Sequence, residues 1–295
     1  MANIRKIRNR AATAVKIRAL TRTMEMIATA RFQRSHSLSA QGRPYTDRLT
    51  DLVSQVIAAL GKKDSHPLLD QREQGRRETL LIITSNRGLC GSHNQNVLHT
   101  AIERYTQTSK AGYEISLHVV GKKGANYLAQ KGYKVDKTYL DFDFLPEYNV
   151  VGKIAQDMMA QFIDHKIDGL EIAYTRVDRS GSHHPSIAQV LPLSEALAPA
   201  RPASDVDEEA AGLDFYPSPQ QILRNLLPAA VRLRLYQCFV DAAVTEQMAR
   251  MTAMRSATDS ADDMIENLTR EHNRLRQGQI TTQLNEIIGG QIALE

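Results

Sequence analysis

The chain has 295 residues and a formal charge of +4, with 42% hydrophobic residues but only 5% aromatics and no Trp. That length allows one or two domains, and much Ala with few aromatics suits closely packed helices better than a thick globular core. No run approaches the roughly 18 consecutive apolar residues that would cross a bilayer, and Cys90 and Cys238 fit neither a zinc module nor a Cys-x-x-Cys pair, so they read as reduced thiols of a cytosolic-type compartment.

In chain order, residues 1–41 contain neither Gly nor Pro. Ile4, Ile7, Ala11 and Ala14 keep a three–four spacing, and Leu20, Met24, Ile27 and Ala28 resume it after a stutter. The stripe continues beyond Gly42 and Pro44 as Leu49, Leu52, Val53, Val56, Ile57 and Leu60, which predicts one helix over 1–60, bent near the Gly–Pro pair. Residues 61–78 read as a connector. Strands are predicted at 80–84, 115–120, 134–140 and 170–177, with helices at 97–106, 125–130 and 151–165 between them and an apolar segment at 187–193 closing the region. Alternation at this spacing predicts a doubly wound, mostly parallel α/β domain over 61–217. Its last part, 194–217, carries several Pro and the run DVDEE and reads as a mobile linker. A second helix starts near Ser218–Gln220 and occupies 218–295. Pro228 predicts a kink or early break in it, but 229–277 again lacks Gly and Pro. Its stripe is Ala249, Ala253, Ala257, Ala261, Met264, Leu268 and Leu275. Uninterrupted stretches of this length would be rods of about 60 and about 70 Å, too long for a domain of this size to bury. They must pack on each other, on a partner or on both; the long segment between them and their opposite charges favour a long antiparallel two-helix coiled coil.

Charge supports that pairing. Nine bases and the single acid Glu25 lie between Met1 and His36, against eight acids and five bases between Glu246 and Glu295. The basic N-terminus also has the composition of a transit peptide, but the unbroken helical pattern argues against its removal.

Chemical motifs are few. RGLCGSHN (87–94) and the GKKG turn with Lys122 and Lys123 each follow a strand and precede a helix, where phosphate loops sit, yet neither closes with a Gly-Lys-Ser/Thr. Both read as tight turns. His93, His99, His183 and His184 lack metal-ligand spacing, and Ser92 with His93 has no nucleophile elbow around it. No catalytic residue, metal ligand or cofactor site is expected.

Four blocks then match one family in order and spacing. LTRTMEMIATARF (20–32), TSNRGLCGSHN (84–94), EQMARMTAMRSATDSADDMI (246–265) and HNRLRQGQITTQLNEIIGG (272–290) resemble segments of the gamma subunit of rotary F-type ATP synthases. The resemblance begins at the first residues, which also removes the transit-peptide reading. It implies a non-catalytic central rotor shaft inside a ring of alpha and beta subunits. The α/β domain would sit at the base against the epsilon subunit and the membrane ring of c subunits, with a delta subunit in the same complex. It implies peripheral attachment at the cytoplasmic face of a bacterial plasma membrane, coupling of ion flow to ATP synthesis, and no cofactor.

By the same resemblance, Met24 and Glu25, with Arg276 and Gln277 on the opposing helix, correspond to the beta-subunit contact and coupling region. Ile280, Leu284, Ile287 and Ile288 would form an apolar C-terminal bearing. Phe215 and Tyr216 would form the foot near the rotor ring, although Tyr216 stands where the family often has an acid. Ser92 and His93 replace the family's Gly and Leu. Two other readings remain at this stage: a basic coiled-coil nucleic-acid-binding protein, and a small α/β enzyme with helical dimerisation arms.

Overall fold

The computed structural model describes residues 2–60, 66–70, 72, 75–142, 144–178, 182–193 and 218–292, the side chains of 2–3, 58–60, 219, 286 and 288–292 aside. The elements are α1 (Ala2–Leu60), β1 (Arg77–Ile83), α2 (His93–Lys110), β2 (Glu114–Val120), α3 (Lys122–Gln130), β3 (Lys137–Tyr139), α4 (Tyr148–Ile163), β4 (Gly169–Val177), β5 (His183–Leu191) and α5 (Pro219–Ile292). A single 3-10 turn covers Pro67–Leu69. The linker expected at 194–217, including Phe215 and Tyr216, lies outside the described residues.

The chain divides into two units. The first, Met1–Thr29 with Arg250–Glu295, is an antiparallel helix pair. Ile7, Ala14, Thr21 and Ala28 are buried on α1, and Met254, Thr258, Ala261 and Leu268 on α5. The α1 set recurs every seven residues without the expected stutter, which is the pattern of a left-handed coiled coil. Small side chains dominate the seam and let the backbones approach closely. Thr258 donates its hydroxyl to the Thr21 hydroxyl at 2.8 Å. Arg18 reaches Asp262 at 3.0 Å, but both side chains are well exposed, so this pair contributes at most about 1 kcal/mol. Close packing of the seam, more than the opposite charges of the helices, holds this unit together.

The second unit, Ala30–Ala249, is built on a five-stranded sheet of order β3-β2-β1-β4-β5. β1 pairs parallel with β2 and β4, and β2 with β3, while β5 adds antiparallel to β4. β1 (RETLLII) is apolar on both sides because both faces are covered. Leu80 and Ile82 face α2 and α3 with Val97, Leu98, Ala101 and Leu128. Leu81 and Ile83 face α4 and the terminal helices, where Phe162, Met158, Leu49, Val53, Leu227 and Leu235 complete the larger core. This is the expected doubly wound arrangement with an antiparallel edge. Below it, Asp168 bridges Arg72 and Arg77 at 3.1 Å each. Burial pushes the Asp168 carboxyl up, but the hydrogen bonds from Arg77 and Arg72 outweigh it and hold the carboxyl below its usual range.

Both terminal helices run unbroken through their prolines, Pro44 and Pro228. The early break expected at Pro228 is absent. Proline removes one backbone bond at a cost of roughly 3 kcal/mol, and Leu227, Ala230 and Val231, buried around it, keep the helix in place. Among the described residues, no helix is long and apolar enough to cross a membrane.

Candidate functional site

Ligands of open α/β sheets bind at the carboxyl ends of the strands, where the strand order reverses. Here that point lies beside β1, between β2 and β4, and α5 fills it. Ile83 and Thr84 after β1, Val120 of β2, His93 of α2 and Phe142, Phe144 and Pro146 of the β3–α4 loop meet Phe239, Ala242, Ala243 and Glu246 of α5. The cavity left between them is about 30 Å³, against the roughly 300 Å³ or more of a small-molecule pocket. Phe142 packs against Phe239 with the rings tilted and their centroids 4.9 Å apart. At the end of β4, Val177 O accepts from the Arg43 guanidinium at 2.9 Å, and the Thr245 hydroxyl, turned to its own helix carbonyls, packs against Thr175 O at 3.5 Å.

The two glycine-containing loops are consumed by their own structure. Ser85 N–H donates to Asn94 Oδ1 at 3.0 Å, Ser85 Oγ donates to Arg87 O at 2.6 Å, and Asn94 Nδ2 donates to Ser85 Oγ at 2.7 Å. Lys122 N–H donates to Asn86 Oδ1 at 3.0 Å, and Lys123 N–H to Ser85 O at 3.1 Å. Gly121 sits at φ 94, and a Cβ there would collide with the Thr84 carbonyl. The amides of Lys122 and Lys123 are engaged, and the side chains of Ser85, Asn86 and Asn94 tie the two loops to their own backbone, so RGLCGSHN and GKKG are built as tight turns. Leu89, at φ 65, is displayed to solvent from the first of them. Among the described residues, no His, Cys, Asp and Glu group has the arrangement of a metal site.

What remains is surface. On α1, Leu20, Met26 and Ile27 are exposed, and so are Ile280, Leu284 and Ile287 on α5. Leu20 and Ile27, expected in the seam, are 56% and 50% exposed, because the seven-residue repeat places Thr21 and Ala28 there instead. Met24 and Glu25 are half-buried, Arg276 and Gln277 exposed, and the side chain of Ile288 lies outside the described residues. Met24 and Arg276, on opposing helices, do not face each other across the pair. Thr21 faces Thr258, and Arg276 lies about 27 Å further along α5 at 1.5 Å per residue, while Met24 lies past Thr21 in the opposite direction along the pair.

Sequence reasoning missed the polar junction of the second unit. Asp241, buried, accepts from Ser39 Oγ and from Gln237 Nε2, each at 2.9 Å, and lies 3.5 Å from the Arg43 guanidinium. Burial pushes its carboxyl up, and Ser39, Arg43 and Gln237 only partly oppose that. The signal was available as a Ser at a seam position of one helix and an Asp in an apolar run of the other.

A family model described as ATP synthase matches residues 3–294. The ATP synthase gamma chain of Rhodopirellula baltica is 40% identical over the whole of both chains, and that of Staphylococcus haemolyticus 32% over the whole of both. A chain in the Euglena gracilis mitochondrial ATP synthase (OSCP/F1/c-ring, rotational state 3) shares the fold at 17% identity with a TM-score of 0.66, over 99% of this chain and 95% of that one. Another, from the rotor of the same enzyme in rotational state 1, gives 0.63 at 17% identity, over 95% and 99%. The seven-residue seam, the doubly wound sheet with its filled crevice and these full-length matches lead to one conclusion: the chain belongs to the ATP synthase gamma chain family.

Proposed function

We propose that the chain is the central shaft of a rotary F-type ATP synthase. It turns inside the alpha–beta ring and couples proton flow to ATP synthesis without catalysing either. The observation that carries this reading is exposed apolar surface: Leu20, Met26 and Ile27 on α1 of the helix pair, and Ile280, Leu284 and Ile287 on the stretch of α5 that runs past the start of α1. Apolar side chains exposed together in this way mark a surface that meets other protein. A shaft of two unlike helices presents different faces to three equivalent beta subunits, so each orientation favours a different state of each site. Differential contact of this kind is what allosteric coupling requires.

In this reading 1–60 and 218–295 form the shaft and 61–217 the base. The base meets the epsilon subunit and the c ring, with delta in the same complex, peripheral to the cytoplasmic face of the plasma membrane. Met24, Glu25, Arg276 and Gln277 make state-dependent contacts with beta, and Ile280, Leu284, Ile287 and Ile288 turn in an apolar sleeve. A nucleic-acid role has no support in the relatives.

The test is purification from native membranes followed by pumping assays. Alpha, beta, epsilon and c subunits should co-elute with the chain. At equal complex abundance, Arg276→Ala should lower ions pumped per ATP more than deletion of 289–295 does. Absence of the ring subunits would refute the reading, and the reverse order of the two variants would reassign bearing and torque.

A further inference from the structure

The seam of the first unit specifies register weakly. Ala14, Thr21 and Ala28 recur every seven residues on α1, so on that helix a slip of seven exchanges only small side chains, and discrimination is left to α5, where the slip would set Met254 or Leu268 in the place of Ala261. The second unit contains what such a seam lacks. Asp241 of α5 is 5% exposed and accepts hydrogen bonds from Ser39 of α1 and from Gln237 one turn away. Gln237 Nε2 also donates to Ser39 Oγ at 3.2 Å, closing a triangle. Arg43, one turn after Ser39, stands 3.5 Å from the carboxylate and ties the same point to β4 through Val177 O. Gly42 leaves room for this, since a Cβ there would lie 3.3 Å from Gln237 Oε1. A slip of seven residues would put Phe32 or Thr46 where Ser39 stands and carry the Arg43 guanidinium away, leaving the buried carboxylate Gln237 of its own helix and, in one direction only, a hydroxyl from α1.

We propose that Asp241 is the positioning residue of the helix pair. By gathering Ser39, Gln237 and Arg43 at one buried point, it fixes the axial register of α1 against α5, and so the face that the shaft presents at each orientation. The second half of this statement rests on the rotor reading. Burial raises the carboxyl above its usual range despite its partners. Burial therefore disfavours the ionised carboxylate, a penalty that an apolar side chain of similar size in its place would not carry. A buried polar group that costs stability and specifies register is the best-attested use of such groups.

The test uses the full chain in its complex and compares Asp241→Asn with the apolar triple variant Ser39→Ala, Gln237→Leu, Asp241→Leu. Register is read by oxidative crosslinking of Thr21→Cys with Thr258→Cys, against the slipped pairs Thr21→Cys with Met251→Cys and Thr21→Cys with Ile265→Cys. The native Cys90 and Cys238 are buried and give a silent background. The triple variant should melt within a few degrees of wild type, yet lose in-register crosslinking by about threefold or more, gain slipped pairs and pump fewer ions per ATP. Asp241→Asn, which still accepts from Ser39 and Gln237, should keep the wild-type register. The proposal is overturned if the triple variant crosslinks in register as wild type does, or if it fails to fold, because replacing a pure register lock by apolar residues should leave folding intact. A wild-type complex that pumps no ions would refute the rotor reading and leave the crosslinking result to decide the lock.

Discussion

Leu20 and Thr21 are neighbours with opposite fates: the leucine is 56% exposed and the threonine is buried. Size decides between them. The seam brings two helices close enough for a hydroxyl-to-hydroxyl bond of 2.8 Å, and a leucine there would force them apart. Ala28→Leu should therefore destabilise the chain by about 1–3 kcal/mol through overpacking, whereas Leu20→Ser should change stability by no more than about 0.5 kcal/mol and weaken assembly with the ring. Urea unfolding of both variants checks this, and equal costs would contradict the seam assignment. His118 makes a second residue-scale case. It lies buried beside Tyr139, with Lys137, Asp136 and Asp157 around it. Burial, then Lys137, pushes its pKa below the ordinary value, with the two aspartates opposing. The unfolded chain then binds the proton more readily than the folded one. Stability is full above the ordinary histidine range and falls as pH drops from about 6.5 toward the depressed value. His118→Asn should flatten that slope in unfolding curves recorded from pH 7 to pH 5, and an unchanged slope would show that His118 does not cause it.

At the scale of elements, most of the fold was legible. The two helices announced themselves by their freedom from Gly and Pro, and β1, β2 and β4 by short apolar runs ending in glycine-bearing or polar loops. What the pattern obscured has physical reasons. Leu20 and Ile27 drew the stripe to the wrong face because hydrophobicity was weighed above the seven-residue spacing, which Thr21 and Ala28 keep. Pro228 suggested a break, but tertiary burial of Leu227 and Val231 overrides its local cost. β5 begins earlier than its apolar part, at His183, because the solvent-facing edge of an antiparallel strand needs no apolar residues. The candidate contacts were legible only by resemblance. Their opposition across the pair was misjudged because register depends on which side chains meet, and a single helix pattern does not carry that information. Asp241 was missed for a related reason, since its role exists only where two distant segments come together.

For the whole molecule, the main consequence is that a nucleotide-binding type of sheet has given its crevice to the chain's own helix. With Phe239, Ala242 and Ala243 in that place and about 30 Å³ left over, the isolated chain should show no stoichiometric binding of ATP at micromolar concentration by calorimetry. Binding at that level would mean that the crevice opens. The strand ends serve instead to hold the helices, through the hydrogen bond from Arg43 to Val177 O and the packing of Thr245 against Thr175. That arrangement suits a part that must pass force from a base to a rod. The most direct measurement is single-molecule rotation. With the alpha–beta ring immobilised and a probe fixed to this chain's α/β unit, ATP should drive unidirectional turning in three main steps per revolution. Full ATP hydrolysis by the ring with the probe stationary would contradict the account.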